Sequence, residues 1–182
     1  MQIPPEVLQR YSEPHRCYHT VRHLRAVLGA LTRWCVPTLP PSLLLAALWH
    51  DAVYDPKAHD NEEQSAALVS DPRAQQLILA TKKHEPLDEG EDMRLLLDAD
   101  LWILGAPPRT YRRYASLIRQ EYGHVPDDAY RAGRAAVLER FLQRPRLYFG
   151  ELPEREARAR ANLQAERVGL MSEAPIFARH AP

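Results

Sequence analysis

His50 and Asp51 stand side by side where an apolar run, Leu43-Leu44-Leu45-Ala46-Ala47-Leu48-Trp49, comes to an end. An imidazole and a carboxylate ending a buried helix are costly unless something pairs with them. A divalent metal ion would pair with both. Neighbours on a helix point about 100° apart, so they share one ion only in an inter-helix cleft or where the helix stops. Ala52-Val53-Tyr54-Asp55-Pro56 provides the stop, because Pro56 disfavours helix at Asp55. Three further clusters carry matching residue types. His15, His19 and His23 recur every four residues, which on a helix would set them along one face. His84 closes Ala80-Thr81-Lys82-Lys83, and Asp98 and Asp100 interrupt the apolar stretch from Leu95 to Leu101. Imidazoles and carboxylates together suit Mn, Fe, Co, Ni or Zn, and the absence of thiolate argues against a structural zinc site. Such an ion would acidify a water and bind a phosphoryl oxygen.

These clusters must be positioned by helices. Beta-branched alternation is nowhere sustained, and Leu, Ala, Arg and Glu dominate. A short helix is predicted from Pro4 to Tyr11. A long one is predicted from Pro14 to about Trp34, with Pro37, Pro40 and Pro41 as the following connection. Ser42 to Ala52 is too apolar for a surface helix and belongs at the centre. Asp60-Asn61 and Asp71-Pro72 read as caps, the second opening a helix to about His84. Helices are also predicted over Glu91–Leu104, Thr110–Tyr122, Pro126 to about Arg144, and Pro153 to about Val168. The expectation is an all-α, single-domain bundle of roughly eight or nine helices over residues 1–170, with residues 171–182 as a loose tail.

Composition narrows the partners. Lys and Arg number 24 and so do Asp and Glu, which gives no global electrostatic case for nucleic acid or an anionic membrane. No apolar run approaches a membrane span, and the N-terminus lacks the basic and apolar regions of a secretory signal. Cys17 and Cys35 have no CxxC spacing and suggest no disulfide scaffold. A soluble cytoplasmic domain is expected; oligomeric state is not legible.

The order His, His-Asp, His, Asp resembles the HD-domain superfamily of metal-dependent phosphohydrolases, whose signature is H…HD…D on a helical bundle. The resemblance covers about residues 10 to 105, and the remainder looks like that of small stand-alone bacterial HD proteins described as predicted phosphohydrolases. It implies His23, His50, Asp51 and Asp100 as metal ligands. Asp100 is preferred to Asp98 because the family places its ligand just before Leu and an apolar turn. Bimetallic relatives add two histidines; His84 matches the later one, whereas Asn61 stands near the place of the earlier. One ion per chain is therefore expected, with Glu62 or Asp55 as the carboxylates that could support a second. Asp51, His84 and Glu62 are the candidate acid/base groups. Arg16, Tyr18, His19, Arg22, Lys82 and Lys83 lie beside the clusters and are the candidates for contacting a phosphorylated substrate. Tyr54 is a further candidate for stacking, while Tyr111, Tyr114, Tyr122, Tyr130 and Tyr148 are too dispersed for a nucleobase platform.

The function implied is hydrolysis of a phosphate ester or anhydride of a nucleotide or other small phosphorylated metabolite. Two alternatives stand beside it. The HD fold also hosts di-iron oxygenases, and a metal-lined pocket can bind a nucleotide without turning it over.

Overall fold

The computed structural model describes residues 2–35 and 38–172; Pro37 and the expected tail from Glu173 onward lie outside them. Among the described residues there are nine α-helices, one 3-10 helix and no strand. The chain divides into two compact units. One runs through Trp102 and takes in Tyr148–Gly150, and the other comprises Ile103–Leu147 and the chain from Glu151.

The first unit holds α1 (Pro5–Arg10), α2 (Val21–Trp34), α3 (Pro41–Trp49), α4 (Asn61–Ala66), α5 (Pro72–Thr81) and α6 (Glu91–Asp100). Proline opens α1, α3 and α5, where its missing N–H has no intrahelical partner to lose. The Asp71 carboxylate accepts the Ala74 N–H at 2.8 Å and caps α5. The apolar α3 packs against α2, α5 and α6, with Leu43, Ala46 and Ala47 fully buried. Leu24, Val27 and Leu31 of α2, Leu77 and Ile78 of α5, and Leu96 and Leu97 of α6 complete this core.

Two boundaries differ from expectation in ways that matter for the site. The helix predicted from Pro14 begins only at Val21. Thr20 is extended, and its hydroxyl accepts the Arg22 N–H at 3.3 Å. Arg16 donates to the His19 carbonyl at 3.1 Å, satisfying outside any helix a group that a continuous helix would have used. His15 and His19 therefore lie in turns, and the three histidines do not form a helical stripe. The helix predicted through Leu104 ends at Asp100 and tightens into a 3-10 helix, Leu101–Gly105. There the Leu101 carbonyl accepts the Tyr148 hydroxyl at 3.1 Å.

In the second unit, α9 (Pro153–Met171) packs against α7 (Pro108–Glu121) and α8 (Asp127–Leu142). Arg134 of α8 grips Glu166 of α9, with Nε 2.8 Å from Oε1 and Nη2 3.2 Å from Oε2. Tyr111 of α7 donates its hydroxyl to the same carboxylate. Tyr111 and Tyr114 thus serve a polar joint between helices rather than a base-stacking surface. No helix among the described residues is long and apolar enough to cross a membrane.

Candidate metal centre

Three elements of the first unit deliver four donors to one point. His23 sits in the first turn of α2 on its buried face, His50 is the C-cap of α3 with Asp51 next, and Asp100 is the last residue of α6. His23 Nε2 lies 3.1 Å from His50 Nε2, 3.3 Å from Asp51 Oδ2 and 3.3 Å from Asp100 Oδ1. His50 Nε2 lies 3.2 Å from Asp51 Oδ2 and 3.7 Å from Asp100 Oδ1. One donor atom from each residue falls within 4.8 Å of the others. Donors held about 2.1 Å from a shared ion stand roughly 3 to 4 Å apart, so the four residues fit a divalent cation.

The tautomer of His50 favours the same reading. Its Nδ1 is 3.0 Å from the Ala47 carbonyl oxygen, which can only accept. In the neutral, ligating form the one proton therefore belongs on Nδ1, and the Nε2 lone pair faces the cluster. Both imidazoles are buried, whereas the Asp51 and Asp100 side chains keep 18% and 11% of their surface exposed. Solvent reaches the cluster from its carboxylate side.

Charge is strongly coupled here. Burial alone would depress the His23 pKa, but hydrogen bonds and attraction from Asp100 and Asp51 outweigh it and hold the group up at about 10. His50 is raised by Asp51 against the same burial effect. Burial would lift both carboxylates, yet His50 and His23 hold Asp51 well below the usual range, and His23 and His84 do so for Asp100.

Of the predicted acid/base groups, Asp51 is itself one of the four donors and His84 borders them. His84 Nε2 is 3.1 Å from Asp100 Oδ2, the oxygen that His23 does not contact. His84 lies beyond the end of α5 with φ 52°, a left-handed conformation costly for a residue with a Cβ. Glycine there should therefore outperform alanine, the reverse of their usual ranking. Both variants lose the imidazole, but His84→Gly is expected to be about 1 kcal/mol more stable than His84→Ala in urea unfolding, with equal loss of activity. Equal stabilities would mean that the turn carries no strain. Burial raises the Glu62 carboxyl, and the nearby Asp51 charge adds to the rise.

The predicted substrate contacts divide. Tyr18 and His19 stand beside His23, with ring centroids 5.0 and 5.6 Å away, and His19 also lies 4.2 Å from the Tyr54 ring. Arg16 is not available for a phosphate: it is buried, and its guanidinium is engaged by Glu13 and three backbone carbonyls. Lys82 bonds to Glu63 and to the His59 carbonyl, facing α4. Arg22 and Lys83 are exposed. His15 contacts the Tyr54 carbonyl at 2.7 Å and stands outside the ligand cluster. Asn61 clamps the Asp55 backbone from both sides, at 3.0 and 2.9 Å. Asp55 is itself exposed, caps the Lys57 N–H at 2.9 Å and stands outside the four-donor cluster. Asp98 accepts the Phe149 and Gly150 N–H groups at 2.8 and 2.9 Å, a structural task distinct from that of Asp100.

One contributor carried no signal of its own in the sequence. Tyr11 is fully buried and its hydroxyl accepts the Asp51 N–H at 3.1 Å. A buried phenol demands a partner, but nothing local says which. Comparison of the chain with protein-family models, with curated proteins and with solved structures finds no match.

Proposed function

We propose that this chain is a metal-dependent phosphohydrolase of the HD type, acting on a phosphate ester or anhydride of a nucleotide or other small phosphorylated metabolite. The observation that supports it most is the convergence of His23, His50, Asp51 and Asp100, with solvent access on the carboxylate side. A divalent ion bound there supplies a Lewis acid for phosphoryl oxygen and an acidified water. His50 offers Nε2 because Ala47 holds its other nitrogen. His84 steadies Asp100. Glu62, with its pKa raised by burial and by Asp51, keeps a proton longer than an ordinary carboxyl and suits the delivery of that proton to a leaving oxygen. With Arg16 committed to backbone carbonyls and Lys82 to Glu63, Arg22 and Lys83 are the predicted cations that remain exposed to meet a phosphate beside a bound ion.

The test is metal content of protein purified without chelator or histidine tag, followed by phosphate release with added Mn, Co, Ni, Fe, Zn or Mg. About one ion per chain and release from a subset of nucleotides is expected. No retained ion and no release with any metal overturns the reading, and two irons without release replaces it with oxygenase chemistry. Uptake should also expel protons. Metal-free His23, with its pKa at about 10, holds a proton through neutral pH, and an imidazolium has no lone pair to give. Affinity is therefore expected to rise with pH up to that value, with calorimetry in buffers of different ionisation enthalpy showing proton release.

A further inference from the structure

Asp51 lies beyond the helix that delivers its neighbour. α3 ends at Trp49 and His50 is its cap, so regular helix does not hold the Asp51 peptide. Two side chains from a distant stretch hold it instead. The Tyr11 hydroxyl accepts the Asp51 N–H at 3.1 Å, and Arg16 Nη1 donates to the Asp51 carbonyl at 2.8 Å. Arg16 Nη2 takes the next carbonyl, Ala52, at 3.1 Å. The Arg16 side chain has no exposed surface, and its guanidinium sits 5.2 Å from the Tyr11 ring and 5.4 Å from the Tyr54 ring. Its remaining donors go to the Glu13 carboxylate and the His19 carbonyl. All five guanidinium hydrogens are thus engaged, by four groups that a single point charge could not reach together.

We propose that Tyr11 and Arg16 are positioning residues that pin the Asp51 peptide at both polar ends and thereby aim its carboxylate at the two imidazoles. This rests on the reading of the cluster as a metal centre. Asp51 Oδ2 must stay near both His23 Nε2 and His50 Nε2, and those contacts are 3.3 and 3.2 Å. A peptide free to rotate would carry that oxygen away. With the peptide pinned, the ion meets a donor already in place, and the ordering cost does not fall on metal binding. Arg16 also ties the His19 turn to the same peptide, which sets Tyr18 and His19 beside His23.

The experiment titrates cobalt(II) into metal-free full-length chain and reads visible absorption, alongside thermal unfolding of each metal-free protein. Tyr11→Phe keeps the ring and removes the hydroxyl, which accepts the Asp51 N–H and also lies 3.5 Å from His50 Nδ1; Arg16→Lys keeps the charge, loses the fork and leaves the His50 contact in place. Each is expected to weaken cobalt binding by about 10–100-fold and to change the d–d band of the bound ion. Ser42→Ala removes a hydroxyl bound to Asp71 at the base of α5, and it should leave both cobalt readouts at wild-type values. Wild-type affinity and spectrum in folded Tyr11→Phe and Arg16→Lys overturn the positioning role while leaving the metal centre intact. No cobalt bound by the wild-type chain overturns the metal centre and this inference with it.

Discussion

His50→Ala and Asp51→Ala are each expected to remove metal retention and, with it, the proposed phosphate release, with turnover falling at least about a thousandfold. Both residues touch every other donor in the cluster or all but one of them. His50 Nε2 is within 3.7 Å of a donor atom on each of His23, Asp51 and Asp100. Loss of either ligand leaves three donors, one of them an imidazole or carboxylate aimed at a vacant partner. The loss of His50 also removes a positive charge from beside Asp51, whose low pKa depends first on that attraction once burial is overcome. Elemental analysis and phosphate release on the same preparations provide the check. Full activity in either variant rejects the hydrolase reading, because among the described residues the donor cluster holds only these four.

Glu166→Ala is the largest stability effect expected, a loss of about 3–5 kcal/mol. Arg134 and Glu166 keep only 11% and 10% of their side-chain surface exposed, so the substitution strands a buried cation. It also orphans the Tyr111 hydroxyl. Because desolvation offsets much of what a buried pair contributes, Arg134→Met combined with Glu166→Leu should recover most of the loss. Urea unfolding reads both, with the chain's two units fitted as separate transitions where they separate. A loss under about 1 kcal/mol in Glu166→Ala would mean that the pair behaves as a solvated one.

Helical class and most helix starts were legible because their signals are local. Proline at the first turn of α5 and α9, and the Asp71 cap, act within a few residues of chain, whereas Pro41 reads as connection in the sequence and opens α3 in the fold. The burial of α3 was legible for the same reason, since nine consecutive positions with no charge leave no polar face. The residue types of a metal centre could be read too, but choosing His23 and Asp100 among their neighbours came from a family resemblance rather than from spacing.

Tertiary structure alone decided which side chains reach the centre. His15, His19 and His23 have identical spacing, yet the Thr20 cap and the claim of Arg16 on the His19 carbonyl place only His23 in the ligand cluster. Asp98 and Asp100 differ by two positions, and backbone N–H groups of Phe149 and Gly150 claim the first. Arg16 reads as a phosphate ligand until the carbonyls of Asp51 and Ala52 are brought to it across 35 and 36 positions of chain. Periodicity and capping describe a residue's neighbours within a helical turn. A polar group is satisfied by whichever partner the fold brings close, and for Asp98 and Arg16 that partner lies tens of positions away.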